Sequence, residues 1–278
     1  MRFAKIVRQQ GETKVRIGAV SYLNSKPLVF RMRDVAPAAE VIFDLPSRLA
    51  DQLADGNLDV ALIPSIEYLR HPEYTIVSDA AIACTGPVMS VKLLSRKPMH
   101  MIRSVALDEG SRTSGVLVRI LLFQRFGLCP DFHSLPVDAE VGDCTADAVL
   151  LIGDRAIRPA MDGMVDCWDL GDQWCRWAEL PFVFAMWVAR PGVDTAAWDA
   201  ILSEVRDEGV AHLQQIARAE AEAVGLTEPE TLRYLRDNLH FYFGLRERRG
   251  LHLYYQLAAR MGVVAAPTEL LLDDCRIT

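Results

Sequence analysis

The stretch from Val15 to Arg70 switches repeatedly between two periodicities, and this alternation restricts the fold more than anything else in the chain. Val15-Arg16-Ile17-Gly18-Ala19-Val20 is a short β-branched run ending in a polar turn, the pattern of a strand and then a loop. Asn24 to Met32 reads as a helix start, with Pro27 near its first turn, where a missing N–H costs little. Glu40 to Phe43 is a second strand. Leu45 to Asp55 carries apolar residues at 45, 49 and 53 and stops at Asp55-Gly56, as a helix does. Leu58 to Ile63 is a third strand, after which Pro64-Ser65 opens a short helix to about Arg70. Strand, helix, strand, helix, strand predicts a parallel sheet covered by helices.

The pattern then changes. Ile76 to Cys84 and Val88 to Ser95 read as neighbouring strands with no long helix between them. Val105-Ala106-Leu107 is a strand leading into Asp108 to Ser114 and an amphipathic run to Phe126. Ala148 to Ile152 is another strand, followed by Gly153-Asp154 and a short helix. Pro181 to Ala189 is a buried strand, and from Thr195 the chain is mostly helical, over 195–223, 228–238 and 245–261. The expected class is α/β with two lobes and a cleft between them. One lobe takes residues 1–93 and 184–278, the other 94–183, with the connecting strands near 88–95 and 182–189 as the hinge. The 278 residues suffice for about two core units.

Thirty Lys and Arg against 37 Asp and Glu give a net charge of −7, which argues against nucleic acid, since phosphate binding needs clustered positive charge. The densest basic run, Arg246-Glu247-Arg248-Arg249, is broken by a Glu. No run of about 18 apolar residues exists to span a membrane. Met1 to Gly11 lacks the apolar core of a secretory signal, and residues 1–13 read as a polar leader, so a cytoplasmic location is expected. The six cysteines, at 84, 129, 144, 167, 175 and 275, have no zinc-ligand spacing and are expected to be reduced and mostly buried. Nucleotide-binding, zinc-protease and serine-hydrolase motifs are absent, so neither metal nor organic cofactor is expected. Trp168, Trp174 and Trp177 crowd one segment and suit core packing better than a cleft wall. Oligomeric state is not readable.

In open α/β sheets, ligands bind beyond the carboxyl ends of strands. After the first strand stand Ser21, Tyr22, Asn24 and Ser25, whose polar groups suit either capping or a ligand. Ser65 after the third strand has the same two readings. Ser111-Arg112-Thr113-Ser114 precede the long helix, where free N–H groups and the helix dipole favour a carboxylate or phosphate and Arg112 adds a fork of donors. Gly153 and Asp154 form a tight turn, with Asp154 as a cap or a site residue. Together these residues describe a cleft for a small anion.

Val20-Ser21-Tyr22-Leu23-Asn24-Ser25-Lys26-Pro27-Leu28 closely resembles the opening motif of the chorismate dehydratase family, which begins the futalosine route to menaquinone. Further matches run in order: Asp59 to Tyr68, Gly86 to Val91, Ser111 to Ser114, Leu151 to Asp154, and Leu180 to Trp187. Glu179 departs from the pattern, where a small turn residue is expected. The resemblance implies a periplasmic-binding-protein-like fold of type II and loss of water from chorismate to give 3-[(1-carboxyvinyl)oxy]benzoate. It assigns the key polar roles to Asn24 and Ser90. The sister 1,4-dihydroxy-6-naphthoate synthase has paired threonines where this chain has Arg112-Thr113-Ser114, which favours the dehydratase. A non-catalytic binder of small anions is the rival from another class. Two sources of a proton acceptor stay open: Glu67 or Asp154, or the substrate's own enolpyruvyl carboxylate, which the scarcity of bases in these loops favours.

Overall fold

The computed structural model describes residues 14–264; the polar leader and Cys275 lie outside them. β1 (Arg16–Val20) leads through a 3-10 turn over Leu23–Leu28 and the short α1 (Met32–Val35) to β2 (Glu40–Asp44). α2 (Pro46–Ala54), β3 (Val60–Pro64) and α3 (Ser65–Arg70) follow, then β4 (Thr75–Cys84). β5 (Val91–Ser95), β6 (Ser104–Asp108), α4 (Arg112–Phe126), β7 (Asp131–Leu135), β8 (Ala148–Ile152), α5 (Asp154–Ile157), β9 (Asp166–Asp169) and α6 (Leu170–Ala178) form the middle of the chain. β10 (Phe182–Ala189), α7 (Thr195–Ala211), α8 (Leu213–Glu220), α9 (Glu228–Arg233), β11 (His240–Tyr242) and α10 (Leu245–Arg260) complete it.

These strands form two mixed sheets. The first has six strands in the order β11-β4-β10-β3-β1-β2, and the second five in the order β7-β6-β8-β5-β9. β1 pairs in parallel with β2 and β3, as the alternating sequence predicts. β10 inserts antiparallel between β3 and β4, which explains why all eight of its residues are buried. The edge strand β2 is only half-buried, as a strand with one neighbour should be.

Several expectations need correction. β4 and β5 are not neighbours; they belong to different sheets, and residues 85–90 carry the chain between them. The return crossing is the short segment 179–181. α4 is not amphipathic: Thr113 to Val118 and Ile120 to Leu122 are buried on all its faces, because it packs within the body of the molecule. The helix expected over 195–223 breaks at His212, and β7, β9 and β11 are strands too polar or too short to show period two. Of the described cysteines only Cys84 is fully buried, while Cys129 and Cys167 are exposed. Trp174 is buried against Trp177, Phe182 and Tyr254, and Trp168 stacks on Phe126. Glu179 takes a left-handed φ of 57° at the end of α6, a conformation that favours glycine.

Two features hold the first sheet under the site. On α7, a Cβ at Gly209 would lie 1.9 Å from the Pro27 carbonyl oxygen, so only glycine lets this helix seat against the turn after β1. At the other end of the sheet, Asp59 joins β1 to β10. It accepts hydrogen bonds from the Arg16 backbone N–H at 2.8 Å and from the guanidinium groups of Arg16 and Arg190, the latter at 2.6 Å. Burial pushes the Asp59 carboxyl up, but these donors outweigh it and hold the group at about 2. A folded value below the unfolded one stabilises the fold above the unfolded value, and that contribution is lost as pH falls from about 4 towards 2. Asp59→Asn is therefore expected to lose about 1–2 kcal/mol at neutral pH. Urea titrations should show the gap between the two proteins closing between about pH 4 and pH 2; a gap constant with pH would rule out this role for the charge.

Candidate functional site

A cavity lies where the carboxyl ends of β1, β3, β6 and β8 meet the crossings between the two sheets. Its walls are mainly apolar, from Val20, Pro64, Ile82, Val88, Ile152 and Phe184. Polar groups enter it from three places.

The first is the turn after β1. The Ser25 hydroxyl donates to the carbonyls of Val20 and Tyr22, the second at 2.9 Å, and so ties the turn back onto the strand that precedes it. Ser25 is thus used up in building the turn, whereas Asn24 lines the cavity. The Asn24 amide oxygen Oδ1 is buried and has no hydrogen-bond partner. Leaving such a group unmatched costs about 1–3 kcal/mol, which a ligand donor would recover.

The second is the crossing from β4 to β5. Ser90 is fully buried, and its hydroxyl reaches only the carbonyl of Val88, at 3.5 Å and two residues back. The loop is pinned by Asp169, whose carboxylate accepts from the N–H groups of Val88 at 3.0 Å and Met89 at 2.7 Å. The same carboxylate caps α6 by accepting from the Asp172 N–H at 3.0 Å. Met89 is held at a φ of 62°, a strained conformation that this clamp sustains.

The third is the start of α4. Ser111 precedes the helix, makes no capping bond, and its hydroxyl is buried without a partner. The first N–H groups of a helix have no intrahelical acceptor, and the dipole adds partial positive charge there. This end is fixed from the first sheet's side. Thr113 Oγ1 accepts from the Ile66 N–H at 3.3 Å, and the Tyr254 hydroxyl donates to the Thr113 carbonyl at 2.9 Å. Beneath it, the buried Asp108 carboxylate accepts from the Gly110 N–H at 3.0 Å and from Arg155 Nε at 2.9 Å. Burial raises the Asp108 carboxyl, and the Arg155 charge opposes that shift.

Tyr22, Asn24, Ser90, Ser111, Arg112, Thr113, Ser114 and Gly153 all line the cavity. Arg112 does so with its charge already matched: Nη2 lies 2.8 Å from both Asp51 oxygens, and Nη1 is 3.4 Å from Glu67. Ser21, Ser65 and Asp154 do not line it. Ser21 is exposed, and its N–H donates to Asp44. The Ser65 hydroxyl donates to the Val183 carbonyl at 2.8 Å. Asp154 Oδ1 accepts from the Leu23 N–H at 3.0 Å, bridging the two sheets. Burial raises its carboxyl, and the Leu23 N–H opposes that. Glu67 is buried outside the cavity in a pair with Arg70 at 2.8 Å. Asp169, Asp108 and Arg155 were not singled out from the sequence, because each acts on backbone far away in the chain and carries no local signature.

Among the described residues no cluster of His, Cys, Asp and Glu suits a metal ion, and no helix is long and apolar enough to cross a membrane. Among the described residues no carboxylate, imidazole or lysine lines the cavity. The site is thus built to enclose a compact apolar body, meet an anionic group at the α4 start, and offer neutral hydrogen-bond groups elsewhere.

Comparison with known proteins places the chain in a family. A family model described as menaquinone biosynthesis matches residues 15–260. Chorismate dehydratase of Thermus thermophilus is 30% identical over 269 residues, covering 90% of this chain and 96% of that protein. The alkanesulfonate-binding protein SsuA of Xanthomonas axonopodis pv. citri, solved with MOPS, is 14% identical with a TM-score of 0.67, over 91% of this chain and 95% of its own. A Candida albicans protein with the generic periplasmic binding protein fold is 11% identical with a TM-score of 0.62, over 94% of both chains. The two structures speak for the fold alone, whereas the sequence matches run nearly end to end, and by them the chain belongs to the menaquinone-biosynthesis family that includes chorismate dehydratase.

Proposed function

We propose that the protein is a chorismate dehydratase, a hydro-lyase that converts chorismate to 3-[(1-carboxyvinyl)oxy]benzoate and water in the cytoplasm. The observation that carries this reading is the unpaired Asn24 amide and the Ser90 hydroxyl in a cavity that also receives an uncapped helix start. Chorismate has an apolar ring, two carboxylates, an enol ether at C3 and a hydroxyl at C4. The ring carboxylate fits the N–H groups at Ser111 to Ser114. Asn24 and Ser90 then stand beside the ring carbons that react.

The reaction removes the C3 proton and the C4 hydroxyl and leaves an aromatic ring. The C3–H electrons become part of the ring, the C4–O bond breaks, and proton and hydroxide depart together as water. Aromatisation drives the reaction, so the protein's main task is to hold one geometry. The ring carboxylate is conjugated with C3 through the C1–C2 double bond, and donors around it stabilise charge spreading from C3. With no base in the cavity lining, the enolpyruvyl carboxylate of the substrate takes the proton. Glu67 and Asp154 keep the structural roles described above. Closure of the two lobes about the crossings at 85–90 and 179–181 excludes water.

Three expectations follow for purified protein mixed with chorismate. The diene absorbance should fall as the aromatic product appears; binding without turnover would make the protein a binder of small anions. Asn24→Ala and Ser90→Ala should each lower kcat by about 10²–10³-fold, with a smaller effect on KM. A rise in KM alone would mean that these residues only hold the substrate. Glu67→Gln and Asp154→Asn should keep kcat within about tenfold of the parent, whereas a fall of about 10⁴-fold with binding intact would place the base on the protein.

A further inference from the structure

The crossing that brings Ser90 to the cavity ends in a sharp reversal. The Ser90 N–H donates to the Val88 carbonyl at 2.8 Å, two residues back, and Met89 between them has a φ of 62°. That bond and that sign of φ mark the rare, strained kind of γ-turn, which a residue with a side chain enters at a cost. β5 starts at the next residue, with Val91 opposite Ile152 and Lys92 opposite Asp169. The chain beyond the turn is thus fixed in the sheet, and the turn decides where the Ser90 hydroxyl points. Neutral donors hold the earlier part of the crossing: Cys175 Sγ donates to the Cys84 carbonyl at 3.7 Å, and Asn238 Nδ2 to the Pro87 carbonyl at 2.9 Å. The turn itself is held by Asp169.

Asp169 is the N-cap of α6, and capping needs a single side-chain oxygen, which Ser or Asn supplies equally well. Asp169 uses both of its oxygens. Oδ1 accepts from the Asp172 N–H at 3.0 Å and from the Val88 N–H at 3.0 Å, while Oδ2 accepts from the Met89 N–H at 2.7 Å. An ionised carboxylate is acceptor on both sides, whereas an amide would turn an NH2 group on one of these N–H groups. The Met89 N–H and the Val88 carbonyl belong to one peptide plane. The bond to Oδ2 therefore also aims the carbonyl that closes the turn onto Ser90.

We propose that Asp169 is a positioning residue for Ser90: its carboxylate holds the strained turn at Met89 and thereby aims the Ser90 hydroxyl into the cavity. The α6 cap uses Oδ1 and the turn depends on Oδ2, so one substitution separates the two roles. The effect on turnover rests on the dehydratase reading; the hold on the turn does not.

Asp169→Asn keeps one oxygen for the cap and sets an NH2 group against the Met89 N–H. With chorismate, kcat should fall roughly ten- to a hundred-fold, the size of a small misplacement of a group at the reacting atoms, with KM within about twofold. The Tm should stay within about 5 °C of the parent, since Asn caps a helix as well as Asp does. Met89→Gly should rescue the variant, because glycine takes a positive φ without strain. The Asp169→Asn, Met89→Gly double variant should turn over within about threefold of Met89→Gly alone. In ¹⁵N-labelled protein without substrate, hydrogen exchange at the Met89 amide should speed up by about tenfold or more in Asp169→Asn, while the Asp172 amide stays within about threefold of the parent. An unchanged kcat, a rise in KM alone, no rescue by Met89→Gly, or equal exchange at Met89 and Asp172 would each overturn the proposal. A larger fall in Tm that Met89→Gly does not restore would make Asp169 a helix cap and nothing more. If the parent protein fails to turn over chorismate, the dehydratase reading falls, and exchange at Met89 against Asp172 alone decides the role of Asp169.

Discussion

The cavity depends on one contact between the sheets. Gly153, at a φ of 67°, lies flat against the ring of Tyr22, and any Cβ there would come within 2.8 Å of three ring atoms. Next to it the Asp154 carboxylate accepts the Leu23 N–H. The first contact sets how close the end of β8 comes to the turn after β1; the second fixes their register. A larger residue at 153 would clash with the ring and would also be strained in its own backbone. The turn that carries Asn24 and the helix start that carries Ser111 therefore face each other across a gap set by a glycine, a tyrosine face and one carboxylate. The tight seat of α7 at Gly209 supports the same turn from below.

Charge follows the same economy. The chain carries a net −7, and Arg112, the one guanidinium among the described residues that lines the cavity, is already matched by Asp51 and Glu67. On the dehydratase reading no long-range field draws the anionic substrate in, and attraction comes from backbone N–H groups at the start of α4 and from neutral side chains at contact distance. Such donors weaken little with the protonation state of neighbours, and in a cavity of mostly apolar walls they act through a low local dielectric. The unpartnered Asn24 and Ser111 oxygens fit this scheme. On the same reading they are stability given up in the free protein that becomes interaction energy once the substrate enters.

The alternating pattern at Val15 to Arg70 was enough to predict the parallel β1, β2 and β3, since buried parallel strands and amphipathic helices differ sharply in period. The strand-end loops likewise marked most of the cavity lining, because an α/β sheet opens at its carboxyl edge. What stayed hidden was non-local. Nothing near Phe182 to Ala189 tells that this run lies antiparallel between β3 and β4, nor does anything at Asp169 tell that it clamps Val88 and Met89, about 80 residues earlier. Asp131–Leu135 and Asp166–Asp169 are strands through pairing with neighbours, against their polar composition. Ser65 and Asp154 looked like ligand donors because a hydroxyl or carboxylate after a strand suits either role; only the carbonyl of Val183 and the N–H of Leu23 reveal what occupies them.

On the dehydratase reading, a fold shared with solute-binding proteins suits this reaction for a physical reason. Loss of water from a ring that becomes aromatic needs little acid or base strength from the protein. It needs the ring carboxylate, the C3 hydrogen and the C4 hydroxyl held in one arrangement, with bulk water kept out. Two sheets joined by short crossings at 85–90 and 179–181 can supply both by closing on the ligand. A charge left unmatched in the cavity would bring its own desolvation cost and would attract water, and Arg112 is matched by Asp51 and Glu67. Neutral donors already aimed by the backbone, at Ser90 through the Asp169 clamp and at Asn24 through the Ser25 turn, avoid both. Catalysis on such a scaffold therefore demands rigid second-layer contacts more than reactive groups, which is why the clamp holds Met89 in a conformation that its side chain disfavours.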